Sequence, residues 1–108
     1  MYKIERSNSG NVFNFLLLAE HGHILLKSIA FDSIETAEKE IESVKVNALN
    51  MSRYERKTTP EGKFYFNLKN ANGVILGQSQ MYSSEAGMEN GILAVKNNSK
   101  SKQIKLPI

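Results

Sequence analysis

The 108-residue chain has no cysteine. That absence excludes disulfides, thiolate nucleophiles and cysteine-ligated metals, and it agrees with a cytoplasmic location, which is the expectation here. No apolar run approaches the roughly twenty residues of a membrane-spanning helix, so no membrane association is expected. The opening Met1-Tyr2-Lys3-Ile4-Glu5-Arg6 lacks the apolar centre of a secretory signal. There is no phosphate-binding glycine loop of Walker or Rossmann type and no nucleophile elbow. Only two histidines are present, His21 and His23, one residue apart. A metal site would need further ligands and supporting groups around them. With no base, nucleophile or paired carboxylates marked out, the expectation is a protein without catalytic activity, bound metal or cofactor.

What is present is a repeat. Phe13-Asn14-Phe15-Leu16-Leu17, Gly22, Ile24-Leu25, Ser28, Ser33, Glu38, Ile41, Val44-Lys45 and Asn47 return in order as Phe64-Tyr65-Phe66-Asn67-Leu68, Gly73, Ile75-Leu76, Ser79, Ser84, Glu89, Ile92, Val95-Lys96 and Asn98. The offset is 51 residues throughout. A unit of that length is too small to bury its own apolar face well and is completed by its copy. One domain over 1–108 is expected, built from repeats 1–50 and 51–108. Asn72 and Val74 replace the two histidines in the second copy, so the histidines are read as exposed turn residues.

Within each copy, Phe13, Phe15 and Leu17, or Phe64, Phe66 and Leu68, alternate with their neighbours and predict a strand with that face inward. Asn72-Gly73, with His21-Gly22 at the same place, predicts a two-residue type I′ hairpin. That turn would set Asn70 opposite Ile75, Leu68 opposite Gly77 and Ala19 opposite Ile24. The small Ser28, Ser79 and Gly77 suggest a bend or room for a helix. Asp32 with Glu35 reads as a capping box, and Ser83 or Ser84 as the second cap. Ile34, Ala37, Ile41 and Val44 follow at helical spacing, as do Met88, Ile92 and Val95. Gly87 and Gly91 each cost roughly 1 kcal/mol in a helix interior, so at least one is expected to serve a close approach. Extended segments at 2–6, 53–57 and 103–106 complete the order β-β-β-α-β-β-β-α-β, an α+β class.

The second copy resembles the YegP-like family of small bacterial proteins, in Phe64-Tyr65-Phe66-Asn67-Leu68-Lys69, Ala71-Asn72-Gly73, Tyr82-Ser83-Ser84, Glu89-Asn90-Gly91-Ile92 and Val95-Lys96. The first copy departs from it at Leu16, Leu18, His21 and Glu38-Lys39-Glu40-Ile41. The resemblance implies tandem β3-α-β repeats sharing one antiparallel sheet, with the two helices packed on one face and terminal strands exchanged between units. It implies no activity, catalytic residue or cofactor.

Two binding surfaces compete. In the first copy Leu16, Leu18, Leu25 and Ile29 occupy positions that alternation turns away from the core, where the second copy has Asn67, Lys69, Leu76 and Gln80. An open apolar patch of that size marks a protein contact or self-association. Residues 1–50 carry five basic and seven acidic side chains, whereas 51–108 carry nine and four. That basic excess suggests weak binding of single-stranded nucleic acid or another polyanion, through Tyr65, Lys69, Lys100, Lys102 and Lys105. The first reading, an unidentified protein partner, is preferred.

Overall fold

In the computed structural model, which describes residues 1–107, both halves use the same elements. The first contributes β1 (Tyr2–Arg6), β2 (Phe13–Leu18), β3 (Ile24–Lys27) and α1 (Ile34–Asn47). A short 3-10 turn, Met51–Arg53, leads to β4 (Tyr54–Thr58), β5 (Phe64–Lys69), β6 (Ile75–Gln78) and α2 (Glu85–Asn98). The last strand is β7 (Ile104–Lys105). Together they make one seven-stranded sheet in the order β4-β5-β6-β3-β2-β1-β7. Pairing is antiparallel from β4 to β1, but β7 joins β1 in parallel, so the sheet is mixed where an antiparallel one was expected. A strand arriving from α2 on the far side of β1 has no hairpin to reverse it.

The four turns that join consecutive antiparallel strands are built alike. Ser7-Gly10, Ala19-Gly22, Thr59-Gly62 and Asn70-Gly73 each close with the glycine N–H donating to the first carbonyl. Gly73 has a φ of 81°, and among the described residues none other than glycine has positive φ. Asn72 is therefore not in the type I′ geometry expected. The hairpin is a three-residue loop ending in a left-handed glycine, which leaves Lys69, not Asn70, opposite Ile75, and Leu18 opposite Ile24.

Ser33, not Asp32, caps α1, accepting from Thr36 N–H, and Ser84 caps α2 by accepting from Gly87 N–H. Ser28 and Ser79 prove small for a different reason from helix docking. Each hydroxyl accepts from a strand amide, Phe15 or Phe66, at 2.9 Å and donates to the next carbonyl, closing the ladder where β3 and β6 end. Gly91 is the close approach: a Cβ there would collide with the Tyr82 ring.

The core lies between the sheet and both helices, around Phe15, Leu17, Leu26, Phe66, Leu68, Ile41, Val44, Ile92 and Val95. Each helix reaches across the halves, α1 touching β5 and β6, and α2 touching β2 and β3. Two buried tyrosines close the helix ends. Tyr54 Oη donates to Ala48 O at 2.8 Å, and Tyr2 Oη to Ser99 O at 2.7 Å.

Candidate functional site

Because both helices pack on one face, the opposite face of the sheet is uncovered among the described residues. Strand registers place one row across it: Glu55, Asn67, Gln78, Lys27, Leu16, Lys3 and Lys105. The row begins acidic and amide-rich at β4 and ends in lysines at β1 and β7.

The four expected apolar contacts do not form a patch. Leu25 belongs to the core: a β-bulge between Leu17 and Leu18 inserts it into β3 and turns it towards the helices. Leu76 makes the same turn in β6. Leu16 stays on the outer face but keeps only 5% of its surface. Its row neighbours Lys3 and Lys27 have methylene stems suited to covering a leucine while their ammonium groups reach water. Leu18 is half-buried and exchanges backbone hydrogen bonds with Met1. Only Ile29 is open, with 59% of its surface exposed.

Some of the exposed apolar residues flank the seam where β3 of one half meets β6 of the other. Ile24, Ile29, Ile75 and Met81 are all exposed there or at the strand ends. The seam has a single registered pair, Lys27 with Gln78. Beside it lies a recess of about 330 Å³ lined by Lys27, Ser28, Ile29, Ile75, Gln78 and Ser79. Sequence reasoning missed Ile24, Ile75 and Met81. The signal that would have found them is the β3–β6 pairing itself, which no local pattern reveals.

The polyanion candidates are not brought together either. Tyr65 stands on the outer face of β5 opposite Lys57. Lys69, on the same strand, donates to Glu55 at 2.8 Å, and Asn67 donates to that carboxylate at 3.0 Å. These two bonds, Lys69 first, hold the Glu55 carboxyl below the usual carboxylate range. Lys105 lies at the opposite edge of the sheet, and Lys100 and Lys102 are exposed beyond α2. Lys105 instead has Lys3 as its neighbour, with Lys27 two strands further along the row.

Elsewhere, Arg56 on β4 binds Glu89 on α2 through two hydrogen bonds of 2.6 and 3.0 Å, depressing the carboxyl and raising the guanidinium. His21 and His23 are exposed in the β2–β3 turn, and no cluster of three metal-ligating side chains occurs among the described residues.

The pattern of a domain of unknown function, DUF1508, matches residues 61–105. The chain is 47% identical over 98 residues to the UPF0339 protein YegP of Escherichia coli K12, covering 91% of this chain and 89% of that one. It is 39% identical over 104 residues to a UPF0339 protein of Acinetobacter baylyi, covering 96% and 93%. The solution structure of E. coli YegP, described as of unknown function, superimposes with a TM-score of 0.90 at 43% identity, over 97% of this chain and 90% of that one. The solution structure of a UPF0339 protein from Shewanella oneidensis also gives 0.90, at 40% identity, over 97% and 88%.

Proposed function

The chain belongs to the UPF0339 family that includes YegP, and from that premise we propose that it is a cytoplasmic binding protein without catalytic activity, taking a protein partner on the open face of its sheet. The two sequence repeats act as one domain in this reading, since the seam between them supplies the binding surface. The observation that carries it is the exposure of Ile29 and Ile75 on either side of the recess at Lys27 and Gln78. Apolar side chains at the centre of a sheet face contribute nothing to the core while wet, and burying them favours association by about 25 cal/mol per Å². Lys27 beside them favours a partner with an acidic group next to its apolar anchor.

The test replaces Ile29 and Ile75 by Ser in the full chain and compares capture from native lysate with the parent. Loss of a captured protein at unchanged melting temperature supports the reading. Identical capture by both proteins removes it.

A second reading, polyanion binding, rests on the run Lys27, Lys3 and Lys105 at the lysine end of the row. Strands are about 4.8 Å apart, so three ammonium groups can lie along roughly 10–15 Å of a phosphate backbone. Lys3 is loosely tied to Glu5 at 3.8 Å, a contact between half-exposed groups that salt readily screens.

A further inference from the structure

The two edges of the sheet are finished differently. On one side β1 is covered by β7, with Tyr2 N–H donating to Gln103 O at 2.9 Å. On the other side β4 is the last strand, and no described segment pairs with its free edge. β1 and β4 hold the same place in their halves: Tyr2 faces Leu17 and Ile4 faces Phe15, as Tyr54 faces Leu68 and Arg56 faces Phe66. The backbone groups of Tyr2 look outward towards β7, so those of Tyr54, Arg56 and Thr58 look outward into solvent. The Tyr54 N–H is already given to Met51 O, which leaves the Arg56 and Thr58 amides and three carbonyls without a partner among the described residues.

The strand reads Tyr54-Glu55-Arg56-Lys57-Thr58, and it is complementary to itself reversed. We propose that two copies of this chain associate through their β4 edges, antiparallel about Arg56, so that Glu55 of each stands opposite Lys57 of the other. Arg56 then exchanges both backbone bonds with its twin, and each Thr58 N–H meets the Tyr54 carbonyl opposite. Glu55 and Lys57 fall at the positions without backbone bonds, where facing side chains come closest, and opposite charges facing each other there stabilise the pair. Both already share the outer face, with Lys57 Nζ 3.9 Å from Glu55 Oε2 along the strand.

The like charges at the centre do not oppose this. Each Arg56 side chain is turned to the helix side and held by both oxygens of Glu89, which neutralises it and keeps it off the edge. The contact uses the same edge of both copies, so the association closes as a two-fold dimer. The other edge of the sheet ends in β7, only two residues long and too short to template further growth. One five-residue strand on each side gives a contact smaller than that of a stable dimer, so the association is weak and depends on concentration.

Sedimentation of the full chain across the micromolar range tests it. The parent should pass from monomer to dimer as concentration rises. Lys57→Glu, which sets two carboxylates face to face, should weaken the dimer by at least about tenfold, and Glu55→Lys with Lys57→Glu should restore it. Thr58→Pro, which removes an outward N–H on an edge strand, should abolish the dimer without lowering the melting temperature. A parent that stays monomeric throughout overturns the proposal. So does a Thr58→Pro protein that dimerises like the parent, or a double exchange that restores nothing after Lys57→Glu has weakened association.

Discussion

Leu26 fills the space that a side chain at residue 77 would need. A Cβ on Gly77 would lie 2.6 Å from Leu26 Cγ, across the seam between β3 and β6. These two positions correspond in the repeat, leucine in one copy and glycine in the other. The copies have thus diverged where they meet, one supplying the knob and the other the gap.

Gly77→Ala should therefore destabilise the protein by about 1–3 kcal/mol through overpacking. Leu26→Ala alone should cost about 2–5 kcal/mol, since Leu26 is fully buried. Combined, they should cost clearly less than the two together, because the alanine at 77 enters the space that the leucine vacated. Urea unfolding of the four proteins measures the coupling. Strict additivity would show that the two positions do not share that space.

Tyr2→Phe and Tyr54→Phe should each cost about 1–2 kcal/mol, by leaving a buried helix-end carbonyl without its donor. Burial raises both phenols well above their ordinary value, with Glu42 and then Tyr54 adding to the effect at Tyr2. A pKa raised on folding means stability that is full below the unfolded value of about 10 and lost as pH climbs above it. The parent should weaken steeply in alkali and the double Phe variant less so. Melting curves from neutral pH to above pH 10 decide this, and equal alkaline slopes would refute it.

Polyanion binding should depend on Lys3, Lys27 and Lys105 more than on Lys100 and Lys102. Retention on heparin should fall for the triple Ala variant, and its salt slope should flatten by about one for each lost phosphate contact. No retention of the parent at low salt removes this reading altogether.

Residues 1–50 or 51–108 alone should not fold as monomers. Each helix packs on strands of the other half, and either fragment loses one side of the Leu26–Gly77 fit. A fragment that melts cooperatively as a monomer, by circular dichroism and sedimentation, would contradict this.

The element order was legible in the sequence because the repeat presents each pattern twice, and Ala37, Ile41 and Val44 are buried as helical spacing requires. The outer face was not. Alternation assumes an unbroken two-residue period, and the bulge at Leu17–Leu18 moves Leu25 to the other side. It also cannot see that lysines flank Leu16, since Lys3 and Lys27 come from strands on either side. Ile29 and Ile75 become neighbours through a pairing between copies, and no local signal encodes that. Substituting Leu16 now bears on stability more than on association.

Tyr54 closes the helix six residues before it, whereas Tyr2 closes one 97 residues away. Physically the two contacts are the same, so the order in which the halves are encoded is incidental to the fold. A circularly permuted chain running from residue 51 to 103, and then through a short linker from 2 to 50, would present both of these tyrosines to their helices and every strand to its neighbour except β7. The break in the backbone can be moved to the Asn50–Met51 turn because the molecule, followed through its contacts, has the connectivity of a ring.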